Sequence, residues 1–177
     1  MNKIRRPFKM EFLPIIEKEK FEGQSDKDWD FIYTILEPYQ HAIDEVEDEN
    51  VILDQLCDDQ HTLLIYDALY GQVTNGGFLQ LIHNGYGPFV FDPVFIEDLE
   101  RWSLNATAEL LKEANVIYLN HKDYLEEERD LREFSALCKH FKEFEPFDDL
   151  FYEMMEDEVS RFRKYIEDHI AEFAKIV

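Results

Sequence analysis

The side chains able to do chemistry in this chain are six histidines, two cysteines and a large excess of carboxylates, and their spacing decides what each could do. His41, His61, His83, His121, His140 and His169 never stand four apart, and no HExxH occurs, so no single helix turn offers two imidazoles to one zinc ion. His121 with Asp123 comes nearest to a ligand pair; the histidines read as surface or packed side chains, with no metal and no other cofactor expected. Cys57 and Cys138 form neither a CxxC pair nor a disulfide framework, and each follows a leucine, the setting of a small buried hydrophobe. Asn75-Gly76-Gly77-Phe78 and Asn84-Gly85-Tyr86-Gly87 are glycine-rich, but they lack the Lys-Ser/Thr of a phosphate loop and no strand pattern precedes them. There is no GxSxG elbow, and acids are so numerous that no pair stands out for acid–base work. These residues predict a protein that is not an enzyme.

What remains is the carboxylates themselves. Forty acidic residues face eighteen basic ones, a formal charge of −22 on 177 residues. Such acidity marks disorder only where apolar residues are scarce, and here 45% of the chain is hydrophobic and 15% aromatic, enough for a core. The charge is uneven. Residues 1–20 are net basic, whereas residues 21–70 hold fourteen acids and one base, Lys27. An even coat would serve solubility; a concentrated negative field points to a basic partner. Direct binding to nucleic acid is disfavoured, because that affinity comes from Lys and Arg neutralising phosphates. The same physics reversed describes a protein presenting carboxylates where DNA presents phosphates. Acids three or four apart on a helix are spaced ~5–6 Å along its axis, comparable with the ~3.4 Å between charges along a DNA strand. The candidate face comprises Asp44, Glu45, Glu47, Asp48 and Glu49 with Asp54, Asp58 and Asp59; Glu126, Glu127 and Glu128 form a second candidate ridge.

The elements that would carry these groups are helical. Residues 1–24, with Pro7, Pro14 and Gly23, read as an N-terminal arm, weakly ordered or packed on a single all-α domain spanning 25–177. Ser25 is a plausible N-cap for a helix bearing Trp29, Ile32, Tyr33 and Leu36, with Pro38 expected to kink it or to open another. Leu53, Leu56 and Cys57 mark another helical stretch and Leu63, Leu64, Ala68 and Val73 a further one, which Thr74-Asn75-Gly76-Gly77 closes. Phe78 to His83 reads as a short helix stopped by Asn84-Gly85. Asp92-Pro93 opens the next, Leu104 to Tyr118 is a long amphipathic one, residues 124–144 a charged one, and Pro146 restarts a last one running to Phe173. No segment alternates with period two over a strand's length, so the expectation is all-α with six to eight helices. No apolar run approaches the ~18 residues of a membrane span, and a cytoplasmic protein is expected.

The stretch Ala68-Leu69-Tyr70-Gly71-Gln72-Val73-Thr74-Asn75-Gly76-Gly77-Phe78-Leu79-Gln80, followed by Asn84 and Gly85, resembles a bacterial family marked by an NGGF-x-Q core. Phe147-Asp148-Asp149-Leu150-Phe151-Tyr152, then Tyr165, Ile166, His169 and Phe173, resemble that family's C-terminal pattern. This is a domain-of-unknown-function family whose best-known member is an acidic, all-helical, dimeric DNA mimic that binds a DNA-binding transcriptional regulator in place of DNA. The resemblance implies a helical fold, a possible homodimer, and a basic DNA-binding protein as partner. Asn75, Gly76, Gly77, Phe78, Gln80, Asn84 and Gly85 read as structural within it, and no acidic contact residue carries over. Two other readings stand beside it: an immunity-type or adaptor protein binding one partner by shape, and an enzyme built around His83, Asn84 and Tyr86.

Overall fold

A computed structural model describes residues 11–23 and 27–177. The expected cap Ser25 lies outside them. Among the described residues, ten helices hold 76%, and the sheet is a two-residue parallel bridge. The all-α expectation is met, with a helix count just above the expected range. In chain order, among the described residues, the elements are β1 (Ile15–Ile16), α1 (Lys18–Glu22), α2 (Asp28–Asp44), α3 (Asn50–Leu53), α4 (Asp58–His83), α5 (Gly87–Val90), α6 (Pro93–Arg101), α7 (Asn105–Leu125), α8 (Leu131–His140), α9 (Glu145–Asp168), α10 (Ile170–Phe173) and β2 (Lys175–Ile176). They group into two compact units, one of Met1–Leu64 with Val159–Val177 and one of Ile65–Glu158; the divisions fall inside α4 and α9.

The first unit is organised by α2. Its buried residues Phe31, Ile32, Ile35, Leu36 and Tyr39 recur three or four apart, which puts them on one face. No new helix opens at Pro38: α2 runs through it, held by the burial of Ile35, Leu36 and Tyr39 around the missing N–H. Tyr39 is fully buried and donates its hydroxyl to the carbonyl of Phe173 at 2.6 Å; burial raises its pKa far above the ordinary phenol range. Gln60, also fully buried, is the polar hub. Its Nε2 lies 3.0 Å from the Tyr39 hydroxyl, 3.0 Å from the Phe12 carbonyl and 3.2 Å from the Glu172 carbonyl, while its Oε1 accepts the Cys57 amide at 2.9 Å. One amide therefore ties the segment before β1, helix α2 and the C-terminal turn, which is what a buried polar group needs to be tolerated. The bridge pairs Ile15 with Lys175 and Ile16 with Ile176. No period-two signal could announce it at two residues a strand. The last helix expected from the sequence is divided: His169 leaves helical geometry at φ −121°, and its Nδ1 takes up the Tyr165 carbonyl at 2.9 Å, so α9 ends and α10 begins.

The second unit centres on Phe78. Its ring lies 6.2 Å from Phe91, 6.0 Å from Phe144 and 6.4 Å from Phe151, and Phe91 stacks at 4.6 Å on Tyr118. The caps read from the sequence are present where they were expected at Asp92, which accepts the Val94 amide at 2.9 Å. The charged stretch 124–144 is not one helix: α7 ends at Leu125, and α8 runs only from Leu131 to His140, with Asp130 and Glu133 closing a capping box at its start. Helix α7 starts on a distant acid instead: Glu158, fully buried, accepts both the backbone N–H and the hydroxyl of Thr107 at 3.0 Å each.

Candidate partner-binding surface

The acids expected to form the binding face follow one continuous stretch of chain. Asp44 ends α2, Glu45 to Glu49 make the connection, and Asp54 follows α3. Asp44, Glu45, Glu47, Asp48, Glu49 and Asp54 are all exposed. Local structure gives them little in return for their mutual repulsion. Asp48 accepts the backbone amide of Asn50 at 3.0 Å and its side-chain amide at 2.8 Å. Asp44 and Glu45 sit at the C-terminal, electronegative end of α2, where a helix favours cations. Glu45 Oε1 lies 3.7 Å from the His41 Nδ1. Asp58 is half-buried at the start of α4, and Asp59 is buried, at 8% exposure, and accepts the Tyr165 hydroxyl at 3.1 Å. Six of the acids are therefore exposed along one stretch of chain, and Asp59 is set apart as an internal acceptor.

The second ridge is more tightly bound up. Glu126 accepts the hydroxyl of Tyr118, whose pKa is raised by burial and by that carboxylate. Glu127 pairs with Arg129 at 3.0 Å, and the Arg129 side chain is only 7% exposed. That guanidinium also donates to the carbonyls of Tyr124 and Glu127 and stands over the Tyr124 ring at 4.7 Å, closing the end of α7. Glu128 is exposed. A surface cavity of about 290 Å³ lies against this ridge, lined by Tyr124, Glu127, Glu128, Arg129, Glu133 and His140 among others.

The glycine-rich motif is a helix break. Backbone geometry leaves the helix at Gly76 and at Gly77, whose φ of +76° and ψ of −178° suit glycine alone. Asn75 is exposed at the corner and Phe78 is fully buried beneath it. Gln72 Oε1 accepts from Gln80 at 3.2 Å and from Asn84 at 2.7 Å, stitching the two halves of α4. Gly85, at φ +86°, ends the second half. Sequence reasoning placed this turn but missed what holds it: Asp148 Oδ1 accepts the Phe78 amide at 2.8 Å, and the Tyr152 hydroxyl donates to the Thr74 carbonyl at 2.7 Å. The two motifs quoted from distant parts of the chain thus meet in space. Glu158 and Gln60 were missed as well, and single buried polar residues carry no periodic signal.

Three of the six histidines pack against aromatic rings. His83 stacks on Phe134 at 4.3 Å, His121 meets Phe141 edge-on at 5.2 Å, and His169 stacks on Tyr165 at 4.1 Å. Among the described residues no group of three or more His, Cys, Asp or Glu could hold a metal ion, and no helix is long and apolar enough to cross a membrane. Cys57 is buried and Cys138 half-buried, and burial raises both thiol pKa values.

These features define an acidic, all-helical protein that carries a run of exposed carboxylates from Asp44 to Asp54. The chain belongs to the DMP19-like protein family, whose model matches residues 54–169. It is 34% identical over 146 residues to the DNA mimic protein DMP19 of Neisseria meningitidis serogroup B (strain ATCC BAA-335 / MC58), covering 82% of this chain and 87% of that protein. The family match takes in the glycine-rich motif, the C-terminal pattern as far as His169, Asp54, Asp58, Asp59 and the Glu126–Glu128 ridge, whereas Asp44 to Glu49 lie before it and Phe173 after it.

Proposed function

We propose that this protein is a non-enzymatic DNA mimic, acting in the cytoplasm, that occupies the DNA-binding groove of a basic DNA-binding protein such as a transcriptional regulator. The observation that carries this reading is its 34% identity, across 82% of the chain, to a protein described as a DNA mimic. The six exposed acids from Asp44 to Asp54 support it: they line one stretch of chain, and Asp44 and Glu45 stand at the electronegative end of α2, where a cationic partner would be favoured. The Glu126–Glu128 ridge is the second contact region, its cavity open to a basic side chain. The mechanism is competition: carboxylates pair with the Lys and Arg that otherwise hold phosphates, and the regulator leaves its operator. Many exposed, screened pairs favour fast association more than affinity per contact. The protein acts as a homodimer in this reading, which doubles the acidic surface offered to a symmetric regulator.

The test begins with capture. The immobilised protein is exposed to lysate of its source cell and eluted in salt steps, and the eluted partner is then assayed for displacement from its own DNA. One DNA-binding protein leaving at moderate salt, and displaced from DNA by this chain, is the expected result. Combined Glu45→Lys, Asp48→Lys and Asp58→Lys substitution is expected to lower the association rate by on the order of tenfold or more. A single salt-resistant partner with no affinity for DNA would overturn the reading.

A further inference from the structure

We propose that Asp148 and Tyr152 form a proton-sensitive clasp on the break in α4, tightening the second unit as the pH falls. The geometry comes first. At Gly76 and Gly77 the chain leaves α4 and re-enters it at Phe78, so the N–H groups opening the second half have no helical acceptors behind them. Asp148, in the first turn of α9, accepts one of these, from Phe78, at 2.8 Å. One turn later on the same helix, Tyr152 donates to the Thr74 carbonyl at 2.7 Å, on the other side of the break. Both sides of the discontinuity are thus held by one face of α9, one through a donor and the other through an acceptor. The approach is close: a Cβ built on Gly77 would stand 2.6 Å from Asp148 Oδ2, so only glycine lets the carboxyl reach the amide.

The carboxyl is poorly matched to the charge it carries at neutral pH. It is half-buried, and the charged groups acting on it, Asp149 and Glu145 from α9, are of the wrong sign, while the Cys138 thiol of α8, itself raised by burial, is neutral. Lys142 is near enough to act on Cys138. On the α4 side the backbone amide is the favourable contact. Burial pushes the Asp148 carboxyl up to about 6, the Phe78 amide pulls it down, and Asp149 and Glu145 push it further up. In the unfolded chain the same group titrates at its ordinary value of 3.8. Between about 4 and 6 the closed clasp therefore holds a proton that an opened one releases, and closure weakens as pH rises through 6. Protonation weakens this hydrogen bond without removing it, because a neutral carboxyl still has a carbonyl oxygen for the Phe78 amide, and the loss is outweighed by the relief of burial and of repulsion from Asp149 and Glu145. The clasp is independent of any partner, so it stands or falls separately from the mimic reading.

Amide NMR of the full chain between pH 5.0 and 7.5 tests this. The Phe78 amide shift is expected to titrate with a midpoint near 6. After correction for intrinsic exchange, amides 78–81 are expected to be better protected at pH 5.0 than at 7.5. In Asp148→Asn, which keeps the acceptor and removes the charge, the Phe78 titration is expected to vanish and the protection to become independent of pH. A Phe78 amide in the wild-type chain that does not move across this range overturns the proposal without reliance on any variant. So does a titration that persists in Asp148→Asn.

Discussion

At the scale of the residue, this fold is governed by a few polar groups placed where each has one geometry available. Gly77 shows the constraint most sharply. Its φ of +76° with ψ of −178° lies in a region essentially reserved for glycine, and its missing side chain is the space through which Asp148 reaches the Phe78 amide. Gly77→Ala is expected to destabilise the protein by about 1–3 kcal/mol from backbone strain alone. Displacement of Asp148 should add to that, and thermal or urea unfolding measures the sum. An unchanged midpoint would mean that the break relaxes freely. Asp59 teaches the opposite lesson to the exposed acids. It is one of the acids that composition alone would assign to the surface, yet it is buried and accepts the Tyr165 hydroxyl. A carboxylate's role is set by what stands opposite it, and that is not written in its neighbours along the chain.

At the scale of the element, the helices fall into two kinds. Helix α2 is stabilised by an apolar face, and α4 and α7 by acceptors supplied from α9. Helix α8 depends on its own ends: of its ten residues only Leu137 is buried, Leu131 is 88% exposed, and a capping box holds the start. Asp130→Ala is therefore expected to cost about 1 kcal/mol. The effect should be local, as lost amide protection over residues 131–134 in hydrogen exchange, with little change in the global unfolding midpoint. A large drop in that midpoint would show that α8 is integral to the second unit's cooperativity. The caps at Asp92 and Asp130 are local in sequence, so the first could be read directly. The start of α7 could not, since its acceptor Glu158 is 51 residues away.

At the scale of the whole molecule, charge sets opposing demands. A formal −22 repels itself in the folded state, and the proposed partner binding draws on the same field. Added salt screens both. Raising sodium chloride from about 50 to 300 mM shortens the Debye length from roughly 14 to 6 Å. Over that range the unfolding temperature is expected to rise while partner affinity falls. Calorimetry and a binding titration on the same samples measure the two slopes. Slopes of the same sign would mean that surface charge does not govern binding. The two captured properties thus separate a mimic from an acidic protein that binds by shape.

The sequence by itself determined the helical class, the excess and the uneven placement of acids, the turn at Asn75-Gly76-Gly77 and the family resemblance. Each of these is carried by composition, by period 3.6 or by contiguous residues, which are local properties of a chain. Tertiary structure decided the rest. It selected six exposed acids from the candidate face and turned Asp59 inward. It joined Asp148 to Phe78 across 70 residues, Glu158 to Thr107 across 51, and Gln60 to Glu172 across 112. Those pairings satisfy buried polar groups left over after the helices form, and such a remainder finds its partner only once distant helices are packed.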